Sequence, residues 1–394
     1  MSKKLKILAI ETSCDETAIS ILNADGGFEN PSFSVLANIV HSQIDIHKEY
    51  GGVFPALAKR EHAKNLPLIL GQVFSEAGMS GGDLLITDHQ KAQMLTLLER
   101  EPEMYNRLTE TLEELPKPDF DYIAITTGPG LEPALWVGIV FAKALNIAWG
   151  IPLIPVNHME GHLLSVLIDN KEKDSYKALE MKDFQFPALS LLISGGHTEL
   201  VLMKDWLTYE TIGQTLDDAV GEAFDKVGRI LNLEYPGGPK ISSLASKGEF
   251  REDVSLPRPM LHSGDYNFSF SGIKTAALYL SQKLNMTDDS IRASFAKEFE
   301  TAVTEVLLKK TLKALEEYGC HTLIIAGGVA ANSFIKDSFK EALPDYATLL
   351  LPKHELATDN SLMIGIAGYF QALSGNIKNA SEIIADGNWK LNSN

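Results

Sequence analysis

The chain repeats one order of elements, and that repetition limits its fold more than its composition does. Lys6–Glu11 is a short apolar run, Thr12–Thr17 a polar turn, and Ala18–Leu22 an apolar return. Ala188–Ile193, Ser194–Glu199 and Leu200–Met203 follow the same order. Apolar runs of this length bounded by turn residues read as hairpin strands. A second pattern also occurs twice. Tyr122–Thr127 reads as a strand, Gly128-Pro129-Gly130 as a turn and Ala134–Leu145 as an apolar helix. Thr322–Ala326, Gly327-Gly328 and the segment from Asn332 onward match it. Strands alternating with helices predict α/β architecture, and two distant copies predict a duplicated fold with one hairpin in each half. A glycine turn between a strand and a helix N-terminus receives anionic or nucleotide ligands in some folds. In most it is only a connection.

The 394 residues fit about two domains. Apolar residues make up 45% of the chain, enough for a large core. No apolar run approaches the ~18–20 residues of a membrane span. Met1–Lys6 is basic but leads straight into a strand, without the apolar core and cleavage site of a secretory signal. Cys14 and Cys320 are the two cysteines, too few for a disulfide framework, so a reducing cytoplasm is expected. The formal charge of −17 argues against gripping nucleic acid by bulk attraction. Two stretches stand apart. Residues 80–117 are acidic, with Tyr105, Leu108, Leu112 and Leu115 on one helical face, and read as an inserted helical hairpin. Residues 168–185 read as a charged loop.

Candidate chemistry gathers in a few places. His158 and His162 stand at i and i+4, so on a helix both imidazoles share a face and can bind one metal ion. Two polar residues near a helix cap is the plainer reading. The zinc-peptidase pattern needs Glu directly after the first His. Met159 stands there, and Glu160 lies about 200° around the helix from His158. Asp359, in Ala357-Thr358-Asp359-Asn360, is either a helix N-cap or a third metal ligand. Ser194-Gly195-Gly196-His197-Thr198 can present successive backbone N–H groups to a phosphate or carboxylate, or be a tight hairpin turn only. Asp218, Glu222 and Asp225 fall near one helical face, and Asp225 has the chemistry to accept hydrogen bonds from a ribose. Tyr235-Pro236-Gly237-Gly238-Pro239 is a shaped loop. Asp15 and Glu16 lie in a loop crowded with hydroxyls, beside Cys14, for which no histidine is near in sequence.

Taken together these motifs resemble the universal threonylcarbamoyl-transferase family, called TsaD in bacteria and formerly described as O-sialoglycoprotein endopeptidase. The resemblance is carried by Ala9–Thr17, Gly128–Leu131, Lys143–Leu163, Ile193–Thr198, Asp217–Lys226 with Tyr235–Pro239, Phe268–Thr275, Ala326–Asn332 and Thr358-Asp359-Asn360, in family order over nearly the whole chain.

The resemblance implies an α/β, actin-like, duplicated two-lobed ATPase fold. Its first lobe would be 1–157 plus about 360–394, with the insertion at about 80–117, and its second lobe 158–359. It implies one divalent metal ion, iron or alternatively zinc, on His158, His162 and Asp359. It implies that Leu192, Ile193, Ser194, Gly195, Gly196, Asp225, Gly238 and Asn332 hold a threonylcarbamoyl-AMP donor, with ATP or ADP as further nucleotides. Position 242, where many relatives carry an acid, is Ser242 here. The implied reaction transfers the threonylcarbamoyl group to the N6 amine of adenosine 37 in tRNAs reading codons that begin with A. Asp15 and Glu16 are then candidates for proton removal or phosphate positioning. tRNA, a TsaB-like paralogue and a TsaE-like ATPase are the implied partners, with no membrane. Three alternatives stay open: a metallopeptidase, a carbamoyl-adenylate transferase of the hydrogenase-maturation type, and a nucleotide-switched binding protein. The second class carries zinc-finger modules, and no Cys-x-x-Cys occurs here.

Overall fold

The computed structural model describes residues 4–79, 85–172 and 175–392. The first part of the chain runs β1 (Leu5–Glu11), β2 (Glu16–Asp25), β3 (Ser32–Ser42), α1 (Ile44–Lys48), α2 (Pro55–Glu76), α3 (Asp88–Leu97), α4 (Pro102–Glu114), β4 (Tyr122–Gly128), α5 (Glu132–Trp149), β5 (Leu153–Asn157), α6 (His158–Val166), β6 (Ile168–Glu172) and β7 (Ser175–Met181). It continues with β8 (Ala188–Ile193), β9 (Thr198–Asp205), β10 (Thr208–Gln214), α7 (Val220–Ile230), α8 (Gly237–Ala245), α9 (Ser271–Ser281) and α10 (Asp289–Glu317). The last elements are β11 (Thr322–Ala326), α11 (Ser333–Ala342), β12 (Thr348–Leu350), α12 (His354–Ala357) and α13 (Ser361–Leu373).

These elements form two compact units. The first comprises Met1–His47, Val53–Lys182 and Asp359–Leu391; the second comprises Lys48–Gly52, Asp183–Thr358 and Asn392–Asn394. The first sheet has the order β5-β4-β1-β2-β3-β7-β6, the second β10-β9-β8-β11-β12. Within each, one strand is flanked by its antiparallel hairpin partner and by a parallel strand. The pattern β3-β2-β1-β4-β5 therefore recurs as β10-β9-β8-β11-β12. This is the duplicated, actin-like α/β fold expected from the sequence.

The expected junction at 157/158 falls instead at Lys182/Asp183. The reason is β-pairing: within the 168–185 stretch, expected as a loop, Ile168–Glu172 and Ser175–Met181 are paired antiparallel strands, and β7 extends the first sheet along β3 through Phe33↔Leu179. Asp359 likewise opens the closing segment of the first unit and does not end the second. Of the helical insertion, residues 80–84 lie outside the described residues. The remainder forms α3 and α4, which fold onto α2 and α5. Met94, Leu98, Met104, Leu108, Leu112 and Leu115 are buried there, with Tyr105 partly covered. Gln90 donates from Nε2 to the Ile147 and Ala148 carbonyls at 2.8 and 3.3 Å, filling acceptors that the end of α5 leaves open. The apolar stripe of the insertion is thus consumed inside its own unit.

The central strand β1 is covered on both faces, which explains its nearly unbroken apolar run. Leu8 and Ile10 join the core under α2 and α5. On the opposite face α13 presses against the sheet through glycines. A Cβ on Gly365 would meet Ala9 Cβ at 3.3 Å, and one on Gly368 would meet Ala124 Cβ at 2.6 Å. The Ala124 Cβ is fixed to its strand and cannot swing aside, so α13 would have to lift. We expect Gly368→Ala to destabilise the protein by about 1–3 kcal/mol through overpacking, although alanine is intrinsically the better helix former by roughly 1 kcal/mol. Denaturant melts of the two proteins measure it. Among the described residues, no helix is long and apolar enough to cross a membrane.

Candidate metal centre and glycine cradle

In the first unit, two helix starts and one strand end bring a titratable cluster together. Asn157 caps α6 by accepting from Met159 N and Glu160 N at 2.9 and 3.3 Å. This fixes the first turn, on which His158 and His162 share a face with ring centroids 4.7 Å apart. Between them Gly161 lets α6 close onto α13, since a Cβ there would meet Ile364 Cδ1 at 3.1 Å. Asp359 stands just before α13. The N-cap role that its sequence position suggested is taken by the next residue: Asn360 accepts from Met363 N at 3.0 Å. The Asp359 carboxylate is therefore left for the imidazoles. Its Oδ1 lies 3.0 Å from His162 Nε2 and 3.4 Å from His158 Nε2.

Ligand atoms from His158, His162 and Asp359 all lie within 4.8 Å of one another. Two neutral imidazoles and one carboxylate suit a divalent first-row ion and leave coordination positions open. The cluster also has a supporting shell. Glu11, at the end of β1, is fully buried. Its Oε2 lies 3.1 Å from His158 Nδ1 and accepts from Thr126 Oγ1 at 2.6 Å, while Oε1 accepts from Ser13 N. A carboxylate only accepts, so it holds the proton of His158 on Nδ1 and turns Nε2 towards Asp359. Burial pushes the Glu11 and Asp359 carboxyls up, but the facing imidazoles outweigh it and hold both below the usual range. Burial works against a charge on His158, yet Asp359 and Glu11 together raise it well above the ordinary histidine value. An imidazolium between two carboxylates satisfies both; an ion bound at Nε2 takes the place of that second proton. The residues present fit a metal. Glu160 is engaged elsewhere, accepting from Gln371 Nε2 at 2.6 Å, and so is not the base of the pair.

The Thr12–Thr17 loop lies beside this cluster. Burial, then the Asp359 and Asp15 carboxylates, push Glu16 up to about 10, and burial also raises Asp15. A carboxyl so raised carries its proton at neutral pH and is a donor before it is a base. Burial likewise pushes the Cys14 thiol well up, which keeps it a thiol and makes it a poor nucleophile. His62, which sequence reasoning missed, pins the loop. It bonds Thr17 Oγ1 at 2.8 Å through Nδ1 and the Cys14 carbonyl at 3.0 Å through Nε2. Burial lowers it to about 4, so it stays neutral and donates from Nε2.

In the second unit, the duplicate hairpin builds a different surface. Leu192 and Ile193 are fully buried, backbone included, whereas Ser194 is half-buried and Gly195 and Gly196 are exposed, so the tip of the turn is the part that can face a ligand. The Ser194–His197 turn is closed by Ser194 N donating to the His197 carbonyl at 2.9 Å and by His197 N donating to Ser194 Oγ at 3.1 Å. Two further glycines bring neighbours against it. A Cβ on Gly221 would meet the Ser194 carbonyl at 2.6 Å, and one on Gly327 the Ile193 carbonyl at 2.5 Å. By contrast, a Cβ on Gly195, Gly196, Gly238 or Gly328 would meet nothing within 4 Å. One set of glycines packs backbone on backbone; the other leaves bare backbone facing open space. Asp225 on α7 accepts from Gly237 N at 2.7 Å; of the Tyr235–Pro239 stretch, expected as a loop, Gly237–Pro239 instead form the first turn of α8, and Asp225 satisfies one of the N–H groups that a helix start leaves open. Asp217 takes another role, accepting from Phe270 N at 2.8 Å and Ser271 N at 3.2 Å at the start of α9.

The sequence profile of the TsaD family, described as tRNA N6-adenosine threonylcarbamoyltransferase, matches residues 34–85 and 99–366. The chain belongs to the TsaD family. The tRNA N6-adenosine threonylcarbamoyltransferase of Thermosipho africanus is 42% identical over 364 residues, 92% of this chain and 93% of that protein. That of Bacillus subtilis is 38% identical over 369 residues, covering 93% of this chain and 90% of its own. That of Clostridioides difficile is 39% identical over 387 residues, covering 98% of each. For this TsaD-family chain, the structure gathers His158, His162 and Asp359, with Glu11, in the first unit. In the second unit it places Ser194, Gly195 and Gly196 on the hairpin turn, Asp225 on α7, Gly238 in the first turn of α8 and Asn332 at the start of α11. The Asn332 side chain is already committed: Oδ1 accepts from Ile335 N at 3.0 Å as the cap of α11, and Nδ2 donates to Ser242 Oγ and Glu300 Oε1 at 2.9 and 2.8 Å. Glu11 carried a sequence signal, an acid closing an apolar strand, but nothing in that signal named its partner.

Proposed function

We infer that this chain transfers a threonylcarbamoyl group from threonylcarbamoyl-AMP to the N6 amine of adenosine 37 in tRNAs reading codons that begin with A. The observation that carries this reading is the Glu11-supported His158, His162, Asp359 cluster in a chain of a transferase family. In the step, the amine nitrogen bonds to the carbamoyl carbon. The bond from that carbon to the phosphate oxygen breaks, AMP leaves with the electron pair, and the amine gives up one proton. His158, His162 and Asp359 would hold a divalent ion, iron or zinc, which when bound would supply Lewis-acid chemistry. Glu11 holds His158 in the tautomer that binds. The backbone of Ser194–Gly196, with Asp225 and Gly238, receives the adenylate. AMP is a good leaving group and the amine a poor nucleophile, so holding the two in register supplies most of the acceleration. Asp15 and Glu16 serve positioning or proton transfer. Glu160, tied to Gln371, does not serve the histidine pair as the base a peptidase needs after its first histidine.

Nucleoside analysis of tRNA from cells depleted of this chain tests the assignment: threonylcarbamoyladenosine is expected to vanish, and its undiminished presence refutes the reading. Asp225→Ala is expected to weaken AMP binding roughly 10-fold or more, the worth of a hydrogen bond to a charged group, by isothermal titration. Unchanged affinity in a folded variant removes Asp225 from the site.

We also propose a cytoplasmic protein, consistent with free thiols at Cys14 and Cys320. The charge of −17 leaves tRNA contacts to local basic residues and to partners, for which a TsaB-like paralogue and a TsaE-like ATPase are the candidates. Filter binding at physiological salt is expected to show weak tRNA binding by the chain alone and tighter binding by the assembly.

A further inference from the structure

We propose that Glu300 is the carboxylate that binds the ribose hydroxyls of the nucleotide in the second unit, an inference that rests on the adenylate reading above. Glu300 projects from α10 and is 4% exposed. Among the described residues, no lysine, arginine or histidine pairs with it. A buried carboxylate without a cation is costly unless hydrogen bonds compensate it. Two do, both on one oxygen: Oε1 accepts from Ser242 Oγ at 2.6 Å and from Asn332 Nδ2 at 2.8 Å. Ser242 Oγ also lies 3.2 Å from the Gly238 carbonyl one turn earlier on α8, which ties the group to the open glycine at the start of that helix.

The donors and acceptors of this trio can be counted. Asn332 uses its amide oxygen on Ile335 N and its two N–H groups on Ser242 and Glu300. Ser242 has one hydroxyl proton, directed at Glu300 or Gly238, and accepts from Asn332. Neither has a donor left for a ligand. Glu300 Oε2 takes no hydrogen bond from a described residue, and it is not among the sealed polar atoms lacking a partner, so it reaches solvent. The trio thus offers one strong, charged acceptor held rigidly beside Gly238. The ligand groups that match an acceptor-only site are hydroxyl donors, and vicinal hydroxyls are what a ribose presents.

The test titrates AMP and 2′,3′-dideoxy-AMP into the wild type, Glu300→Gln, and Glu300→Gln combined with Ser242→Asp. Glutamine keeps the shape and both Oε1 bonds and removes only the charge and acceptor at Oε2. Wild type is expected to prefer AMP by ~10–100-fold, the range for a hydrogen bond to a charged group. Glu300→Gln is expected to cut that preference about tenfold while leaving the dideoxy affinity unchanged, which a merely structural role would not do. The added aspartate, placed where Ser242 Oγ touches Glu300, is expected to restore it. An undiminished preference in Glu300→Gln, or equal loss for both ligands, overturns the inference. No AMP binding by wild type overturns the adenylate reading itself, and this inference with it.

Discussion

Replacing His158 and His162 together with alanine is expected to abolish the proposed metal binding and to lower threonylcarbamoyl transfer by about 10³-fold or more. The magnitude follows from the several kcal/mol that a Lewis acid contributes to a developing charge, at roughly 1.4 kcal/mol per decade of rate. Both imidazoles come from one helical turn, 4.7 Å apart between ring centroids, and Asp359 Oδ1 lies within 3.4 Å of both Nε2 atoms. Removing both leaves one carboxylate, which does not hold a first-row ion alone. The double change also strips the buried Glu11 of its partner, at a cost of about 3–5 kcal/mol for an uncompensated buried charge. Asp359→Asn is therefore the companion variant, since it keeps the volume and disturbs only a half-buried position. Elemental analysis of purified protein is expected to give one ion per wild-type chain and far less in both variants. One full equivalent retained by the folded double variant would show that the ligands lie elsewhere.

Glu11→Gln is expected to weaken metal binding by about 10–100-fold, the usual cost of losing a hydrogen-bonding partner behind a ligand, with little change in shape. The reason is the direction of protons. Ser13 N donates to Oε1, whereas Thr126 Oγ1 and His158 Nδ1 both lie against Oε2. An amide in that place must set its NH₂ either against Ser13 N or against Thr126 Oγ1 and His158 Nδ1. If it faces His158, Nδ1 becomes an acceptor and the ring proton moves to Nε2, the atom that should bind the ion. Competition with a chelator measures the affinity, and two-bond nitrogen–proton correlation spectra of histidine-labelled protein report the tautomer. Unchanged affinity together with an unchanged tautomer would leave Glu11 a structural residue only.

Local pattern carried much of this. The two hairpins, the two strand–glycine–helix units and the i, i+4 histidines all depend on near neighbours, and period and turn chemistry are written in near neighbours. Thr322–Ala326 was predicted as a strand and is one, because five consecutive buried residues between turns leave little else. The stripe on α4 was also legible as a face, though not what would cover it.

What the sequence determined by itself, then, was the duplicated α/β order and the shared face of His158 and His162. Tertiary structure alone decided the rest. It drew β6 and β7 into the first sheet, because β7 is recruited by pairing with β3, and β6 by pairing with β7, and not by their own polar composition. It gave the cap of α13 to Asn360, which released Asp359 to the histidines. It set Glu11 behind His158 and Glu300 behind Ser242, pairs separated by 147 and 58 residues. Contacts at such distances are made by how the sheets and helices close on one another, and no local window of the chain contains both partners.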